Sequence, residues 1–355
     1  MSITRVAKLA GVSSSTVSRV INNHPRVAPE TAESVRKAME KLGYTPSDRR
    51  PGPKPSLRTR TGAANIAFLV LGTGRNRATP AFEGLVHGVS LATNQHDLNL
   101  IFSHSPDPNQ LPQRILSDRI DGVLLHGALP GAEVRERLRK LPAVWLMGNR
   151  RRPEWGDQVM PDSYEVGELA AKHLLSRGHT RLAFLNLDSG HWALRLYGHA
   201  FCASGADAGA QTQSIEQERQ VTTGYWQDYS RESVESLVAR YLALSPRPTG
   251  LFVADDMQVA MIQPALQRHG VQIGPGEVEV VSCNNEKPYL VGLHPTPTEI
   301  DIRAESIGRR GVEQLIWRLE HPKVVERIVT TIEPFIVGSH GDDDSVSAAV
   351  EFARG

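Results

Sequence analysis

The feature that most constrains the fold is an alternation of short apolar runs with amphipathic helical patterns, which continues from about residue 63 to residue 340. Residues 65–71, 122–126 and 250–254 are almost continuously apolar, as is typical of strands buried on both faces of a sheet. Helical patterns such as residues 164–177 lie between them. Strands that alternate with helices in this way form parallel sheets. The sequence therefore predicts an α/β core.

The same pattern predicts further elements of this core. They are strands at residues 97–103, 144–147, 182–187 and 278–282, and a helix at residues 307–319. The region spans about 280 residues, more than one typical domain of roughly 150, so we expect two lobes. Because ligands of such folds bind at the carboxyl ends of the strands, we expect a ligand cleft there.

Charge is distributed very unevenly along the chain. The whole sequence has 40 Lys and Arg against 39 Asp and Glu, a formal charge of +1, yet residues 1–60 contain twelve basic and four acidic side chains. With 40% apolar residues the chain is expected to fold rather than stay disordered. A basic excess at one end indicates contact with nucleic acid or with an anionic membrane surface.

Cysteine content and apolar run length indicate the compartment. Cys202 and Cys283 are too few for a disulfide framework in 355 residues, which favours the reducing cytoplasm. The first apolar stretch carries Arg5 and Lys8, unlike a signal peptide, and every apolar run is shorter than the roughly 20 residues of a membrane helix. Metal-ligand and cofactor motifs are absent, so we expect no metal, no cofactor and no membrane partner.

Three short helical patterns open the chain. The first begins near Ile3 and ends at Gly11, and the second runs over about residues 13–22. The third begins at Pro29, which suits a first helical turn, and ends at Gly43. Each pattern has one apolar face, which predicts a small all-α three-helix unit.

The segment VAKLAGVSSSTVSRVIN, residues 6–22, is a helix, a glycine turn and a second helix that exposes hydroxyls and an arginine. It resembles the helix-turn-helix of the LacI/GalR family of transcriptional regulators. The resemblance continues through AMEKLGYTP at residues 38–46, and family-like phrases occur at residues 167–185 and 250–260. It implies a helix-turn-helix head followed by a two-lobed core like a periplasmic binding protein. An ordinary helical hairpin fits the charge and these phrases less well.

The resemblance also implies which head residues contact DNA. Ser14, Ser15 and Arg19 correspond to positions that contact base edges, and an arginine can pair with guanine through two hydrogen bonds. Thr16 and Ser18 would face phosphates or the helix packing. The remaining candidate, Asn22, would lie near the DNA backbone together with its neighbour Asn23. For these residues helix capping or a plain surface role remains an alternative.

The linker after the head departs from the family. Members usually form a short helix there that inserts a leucine into the minor groove, whereas this chain reads SDRRPGPKPSLRTRTG, in which prolines prevent a helix. The basic candidates for DNA contact are Arg49, Arg50 and Lys54. Two interpretations stay open: a semi-rigid spacer with nonspecific phosphate contacts, which we slightly favour, or an extended arm in a narrow minor groove.

In the core, the resemblance nominates ligand-binding residues. Arg195 would clamp a hydroxyl pair or a carboxylate, and Asp256 would accept hydrogen bonds from the ligand, although the Asp255–Asp256 pair can also cap a helix. Trp226 would stack on a ligand ring, with an interior packing position as the alternative. Further candidates of the same kind complete the set: Phe82, His191 and Asn284. For Phe82 a packing role is at least as well supported.

Two other functions, an enzyme and a solute-binding protein, fit the sequence less well than a regulator does. GTGRNR at residues 72–77 begins like a nucleotide loop of an enzyme, but Arg77 stands where a third glycine is required. A solute-binding protein for transport would share the core fold, but it would lack the helix-turn-helix pattern. The sequence therefore favours a non-enzymatic regulator.

Together these features predict a DNA-binding repressor controlled by a small polar molecule, a sugar or related metabolite, bound between the lobes of the core. One head reads only half a site, so we expect a homodimer on a near-palindromic double-stranded operator. The expected organisation is a head at residues 1–46, a linker at 47–62, a core at 63–340 and an acidic tail at 341–355.

Overall fold

The structure, a computed structural model, describes residues 3–13, 16–17, 20, 28–42, 64–72, 79–113, 115, 120–148, 155–217 and 229–337. The chain divides into two compact units. The described part of the first lies between residues 3 and 42, and that of the second between residues 64 and 337.

The first unit is a small helical head. Helix α1 (Ile3–Ala10) is followed by a turn at Gly11, whose φ of +66° suits a residue without a Cβ atom. Helical residues follow at Thr16, Val17 and Val20, and α2 (Pro29–Lys41) begins with the expected proline. The buried core of this unit consists of Val6, Ala7, Val17, Val20, Val35 and Ala38.

The second unit begins with lobe 1, built on a parallel sheet. In the described residues its strand order is β11-β5-β4-β3-β1-β2, and every pairing is parallel. The strands are β1 (Asn65–Leu71), β2 (Asn99–Ser105), β3 (Gly122–Gly127), β4 (Ala143–Leu146), β5 (Asp157–Pro161) and β11 (Val329–Ile332). Of the helices that the structure describes, three cover the two faces of this sheet: α3 (Pro80–Gln95), α4 (Ala132–Leu138) and α10 (Ala304–Glu320).

Lobe 2 repeats this arrangement with one exception. Its strand order among the described residues is β12-β10-β9-β8-β6-β7, parallel throughout except that β12 is antiparallel to β10. The strands are β6 (Arg181–Asn186), β7 (Gln211–Glu216), β8 (Gly250–Val253), β9 (Glu279–Cys283), β10 (Thr298–Asp301) and β12 (Phe335–Val337). The helices are α5 (Ser163–Ser176), α6 (Trp192–Asp207), α7 (Arg231–Leu242), α8 (Asp256–Arg268) and α9 (Lys287–Leu290).

The lobes are joined where the chain passes from one sheet to the other. Strand β5 of lobe 1 leads into α5 of lobe 2, β10 leads back into α10, and β11 leads into β12. Apolar clusters fill both faces of each sheet, as predicted from the continuous apolar strands. The predicted fold class, a helical head with a two-lobed α/β core, is confirmed.

Strand boundaries shift from the predicted ones where the backbone turns left-handed. The strand expected at residues 97–103 begins at Asn99 because Asp97 has a φ of 54°, which ends the turn after α3. The strand expected at residues 144–147 ends at Leu146 because Met147 has a φ of 49°. Left-handed residues do not fit the extended conformation of a strand.

Five strands were not predicted from the sequence: β5, β7, β10, β11 and β12. Of these, β7 reads QTQSIE and β11 reads VTTI, and each lies at the edge of its sheet. Edge strands leave side chains in solvent, so they lack the continuous apolar run on which the prediction relied.

Candidate effector site and DNA-binding head

The head contains the helix, turn and helix start expected of a DNA-reading unit. Ser13 caps the second helix, because its Oγ accepts a hydrogen bond from Thr16 N at 3.2 Å and lies 2.9 Å from Thr16 Oγ1. Val17 and Val20, in the same helix, face the buried core. The apolar stripe predicted for this segment is therefore present.

Of the residues predicted to contact DNA, the structure describes Thr16. It is partly buried, and its hydroxyl pairs with Ser13, which places it at the helix start. The others lie outside the described residues and stay predictions: Ser14, Ser15, Ser18, Arg19, Asn22, Arg49, Arg50 and Lys54.

A cavity lies between the two lobes of the core at the carboxyl ends of their strands, with an empty volume of about 800 Å³ that includes its open mouth. Lobe 1 contributes residues that follow β1 and β4 or lie at the ends of β3 and β5: Thr79, His126, Met147, Gly148, Met160 and Pro161. Lobe 2 and its connection contribute Asp188, His191, Ala193, Leu194, Tyr197, Tyr229, Asp255, Met257, Asn284, Glu286 and Ile302. The position is the one expected for a ligand site of parallel sheets.

Asp255 is the acidic residue of the Asp255–Asp256 pair that faces the cavity. It caps α8, since its Oδ1 accepts from Gln258 N and its Oδ2 from Gln258 Nε2, both at 2.8 Å. Burial raises the pKa of Asp255 to about 7, and the charges of Glu286 and Asp188 act in the same direction. The carboxyl group therefore titrates near neutral pH.

Asp256, the predicted ligand acid, lies behind the cavity wall. It is fully buried, and it accepts hydrogen bonds from Ser282 Oγ and, at 2.6 Å, from Glu286 N. Burial raises its pKa to about 8. Because its two oxygens are used inside lobe 2, the structure gives Asp256 the task of positioning Glu286 rather than a place on the wall.

Glu286 connects the lobes at the cavity. Its Oε1 accepts a hydrogen bond from Ala81 N, 3.1 Å away in the first turn of α3 in lobe 1. A carboxylate at the amino end of a helix is favoured by the helix dipole. Only 2% of Glu286 is exposed, and burial raises its pKa. A molecule bound beside Glu286 therefore contacts a bond that joins the two lobes.

His126 adds a neutral acceptor to the lobe 1 wall. It is 7% exposed, and its Nδ1 lies 3.1 Å from the carbonyl oxygen of Leu146, to which it donates. Burial lowers the pKa of His126, which favours the uncharged ring. With the proton on Nδ1, the Nε2 atom is an acceptor.

The structure places the other predicted ligand residues at different depths. His191 and Asn284 line the cavity. Phe82 packs behind the wall, with its ring centroid 5.3 Å from that of His126. Arg195 is exposed on α6, with its guanidinium 5.4 Å from the ring centroid of Trp192, and it does not line the cavity. Trp226 lies outside the described residues.

Several polar wall residues were missed by the sequence reasoning, and three of them have a signal in common: Asp255, Asp188 and His126. Their common signal is position, because each lies at or just after the end of a predicted strand. Carboxyl ends of parallel strands meet at one edge of a sheet, so polar residues there are candidates even without a family motif.

None of the helices described has the length and apolarity needed to cross a bilayer. Among the same residues, no group of His, Cys, Asp and Glu side chains is arranged to hold a metal ion.

Comparisons with known proteins agree with these observations. Residues 2–47 match the family "Bacterial regulatory proteins, lacI family", and residues 171–339 match "Periplasmic binding protein-like domain". The HTH-type transcriptional repressor PurR of Mannheimia succiniciproducens is 27% identical over 342 residues, which cover 94% of this chain and 96% of the relative. This relative is a transcriptional repressor, not an enzyme.

Two solved structures share the fold. One is a transcriptional regulator CelR–cellobiose complex, with a TM-score of 0.61, 22% identity and coverage of 95% of this chain and 98% of that chain. The other is a lac repressor dimer bound to operator and the anti-inducer ONPF, with a TM-score of 0.60, 20% identity and the same coverage. At these identities the likeness concerns the architecture.

Proposed function

The chain belongs to the LacI/GalR family of transcriptional regulators, and we propose that it represses transcription as a homodimer on a near-palindromic operator. Residues 1–46 bind DNA, residues 47–62 form the linker, and residues 63–340 bind the effector and dimerise. The observation that carries this proposal is the cavity between the lobes, found in a chain that also has a helix-turn-helix head.

The effector in this proposal is a small polar molecule, a sugar or a related metabolite. Support comes from the mixed wall, where Asp188, Asp255, His191 and Asn284 offer polar groups beside apolar side chains such as Ile302. The structural neighbour in complex with cellobiose agrees with this class.

Regulation in this proposal depends on the relative position of the lobes. Glu286 of lobe 2 lines the cavity and bonds to Ala81 N of lobe 1, so a bound effector contacts both lobes at once. An effector that binds one arrangement of the lobes more tightly shifts the population toward it. In a dimer such a shift changes the spacing of the two DNA-reading heads, which alters operator affinity.

The operator prediction is tested by selecting binding sites from random double-stranded DNA with the full chain. We expect two inverted half-sites whose centres are about one helical turn, or a multiple of it, apart. Arg19→Ala is expected to cost about 1–3 kcal/mol of specific binding and to relax the preference for one base in each half-site.

Arg36→Ala is the matched control, because it removes an exposed arginine from α2 of the same head. We expect it to weaken binding equally for all sequences and to leave the selected motif unchanged. Selection of no motif would overturn the proposed function, and an unchanged motif with Arg19→Ala would remove Arg19 from the base contacts.

A further inference from the structure

Two buried carboxylates away from the cavity have a cationic partner. Asp157 in lobe 1 pairs with Arg318, whose Nη2 lies 2.5 Å from Oδ1 and whose Nε lies 3.0 Å from Oδ2. In lobe 2, Glu299 pairs with Lys287 at 2.7 Å. This follows the general rule that charges leave water in proteins only when they are paired.

Two carboxylates of the cavity wall differ from this pattern. Asp255 and Glu286 are 5% and 2% exposed, and they accept hydrogen bonds from neutral amide groups of Gln258 and Ala81. No described Lys or Arg forms an ion pair with either carboxylate, and none is among the described residues of the cavity wall. In the part of the chain that the structure describes, these two buried acids thus face the cavity without a counter-charge.

The opposite wall adds an independent observation. His126 is more than nine-tenths buried, lines the cavity and uses Nδ1 for Leu146. Its Nε2 acceptor has no hydrogen-bond partner among the described residues. An N–H or O–H group of a ligand in the cavity is the kind of donor that this nitrogen accepts from.

We infer that the effector carries a positively charged nitrogen, which binds at the acidic wall formed by Asp255 and Glu286, and that an N–H or O–H group of the same molecule donates to His126 Nε2. This inference rests on the proposed function and specifies its effector. An amino sugar is the simplest molecule that combines the polar class proposed above with a positive charge.

The physical reason is that every polar feature of this acidic wall and of His126 favours a donor. An ammonium group has N–H donors and no acceptor, so it satisfies carboxylates by charge-assisted hydrogen bonds. The raised pKa of Asp255 and of Glu286 is consistent with a missing counter-charge. A carboxylate or phosphate of a ligand would meet like charge in a desolvated site.

The competing effector class is an anion. Residues 73–78, 149–154 and 218–228 adjoin wall residues along the chain, contain arginines in sequence and lie outside the described residues. An anionic effector would have to be held by such arginines, against the charge of Asp255 and Glu286. Ligands that differ only in charge therefore decide between the two classes.

The experiment uses the full chain at pH 8 and constant ionic strength, with matched sets of an amine, a neutral analogue and an acid. One set is glucosamine, glucose and glucuronate, a second is galactosamine, galactose and galacturonate, and a third is putrescine, 1,4-butanediol and succinate. Thermal shifts identify binders, because a ligand of the folded state raises Tm, and calorimetry then gives Kd. We expect the amine to bind about tenfold more tightly than its neutral analogue in at least one set.

The variant is Asp255→Asn with Glu286→Gln, which removes both charges and keeps an oxygen for the cap of α8 and for Ala81 N. The matched control is Asp207→Asn, an exposed acid at the end of α6. We expect the preference for the amine to disappear in the variant and to remain in the control. Fluorescence of the unligated variant checks that it unfolds cooperatively.

Three results would overturn the inference: tighter binding of a neutral or acidic member, no Tm shift with any amine, or an amine preference that survives the double substitution. Operator binding is measured in parallel by gel shift. A chain that binds its selected DNA and responds to a neutral or acidic molecule keeps the proposed function and loses this inference. A chain that selects no DNA sequence loses the proposed function whatever the charge of its ligand.

Discussion

Two regions of the core bury carboxylates in opposite ways. At the edge of lobe 1, Asp157 is 1% exposed and every contact satisfies its charge: Arg318 donates twice, Gln314 Nε2 donates at 2.8 Å and Ile328 N at 2.9 Å. At the cavity, Asp255 is buried to a similar degree, but its donors among the described residues are the two amide groups of Gln258.

The presence or absence of a cationic partner separates a buried carboxylate with a structural role from one with a functional role. The contacts of Asp157 join β5, α10 and the segment before β11, so the pair ties together elements distant in sequence. Asp255 is held in place by its helix cap, yet no cation among the residues that the structure describes pairs with it. A desolvated carboxylate that faces a cavity is a candidate for ligand contact, whereas a fully paired one is a candidate for stability.

The largest expected effect is the loss of the Asp157 partner. Arg318→Met keeps most of the apolar stem but leaves a buried carboxylate without its cation. We expect the free energy of unfolding to fall by about 3–5 kcal/mol, because an uncompensated buried charge is strongly destabilising. Urea denaturation at pH 7 measures the change.

The control for this prediction lies on the same helix. Arg310→Met breaks a pair of similar chemistry, since Arg310 Nη1 lies 2.9 Å from Glu313 Oε2, but the two side chains are 49% and 41% exposed. We expect a loss of about 0.5 kcal/mol or less. Equal losses from Arg318→Met and Arg310→Met would show that burial does not set the value of these pairs.

At the cavity we expect a smaller change in the free energy of unfolding, and we expect a substitution there to stabilise the protein rather than destabilise it. Asp255→Asn removes an uncompensated charge and keeps the side-chain oxygen that caps α8. At pH 8, without small molecules, we expect the free energy of unfolding to rise by an amount on the order of 2 kcal/mol. At pH 4 we expect little change, because Asp255 is protonated in the folded state there.

The pH dependence follows from the two pKa values. In the unfolded chain an aspartate has a pKa near 3.8, whereas in the folded chain the pKa of Asp255 is about 7. Between about pH 4 and pH 7 the folded state keeps a proton that the unfolded state has lost, so stability falls as the pH rises. Asp255→Asn should flatten this slope in urea denaturation across that window, and an unchanged slope would contradict the assignment.

The sequence predicts part of this contrast between the paired Asp157 and the cavity acid Asp255. The core strands and the cleft at their carboxyl ends follow from apolar periodicity, and Asp255 was recognised as a possible helix cap. The sequence could not show that Asp256 points into lobe 2, because that depends on Ser282 and Glu286, which are distant along the chain. Strand order and loop packing bring these residues together, and no local pattern reports either.

The partner of Asp157 was missed for a related reason. Asp157 and Arg318 are 161 residues apart, in a strand and a helix that meet only because α10 returns to lobe 1. Family resemblance also assigned Arg195 to the cleft, whereas the structure leaves this arginine exposed beside Trp192. Resemblance gives the position along a helix, but the direction of a long side chain depends on its neighbours.

The smallest effect is expected where a buried acid is paired with an exposed base. The side chain of Glu299 is 6% exposed and that of its partner Lys287 is 61% exposed. Lys287 Nζ lies 2.7 Å from Glu299 Oε1. We therefore expect Lys287→Met to lower the free energy of unfolding by about 1 kcal/mol or less, because the Lys287 ammonium is largely in water and solvent screens its attraction to Glu299. A salt series in urea denaturation measures this, and the cost should shrink as ionic strength rises. A loss as large as that of Arg318→Met would mean that the burial of one partner alone determines how much a pair stabilises the fold.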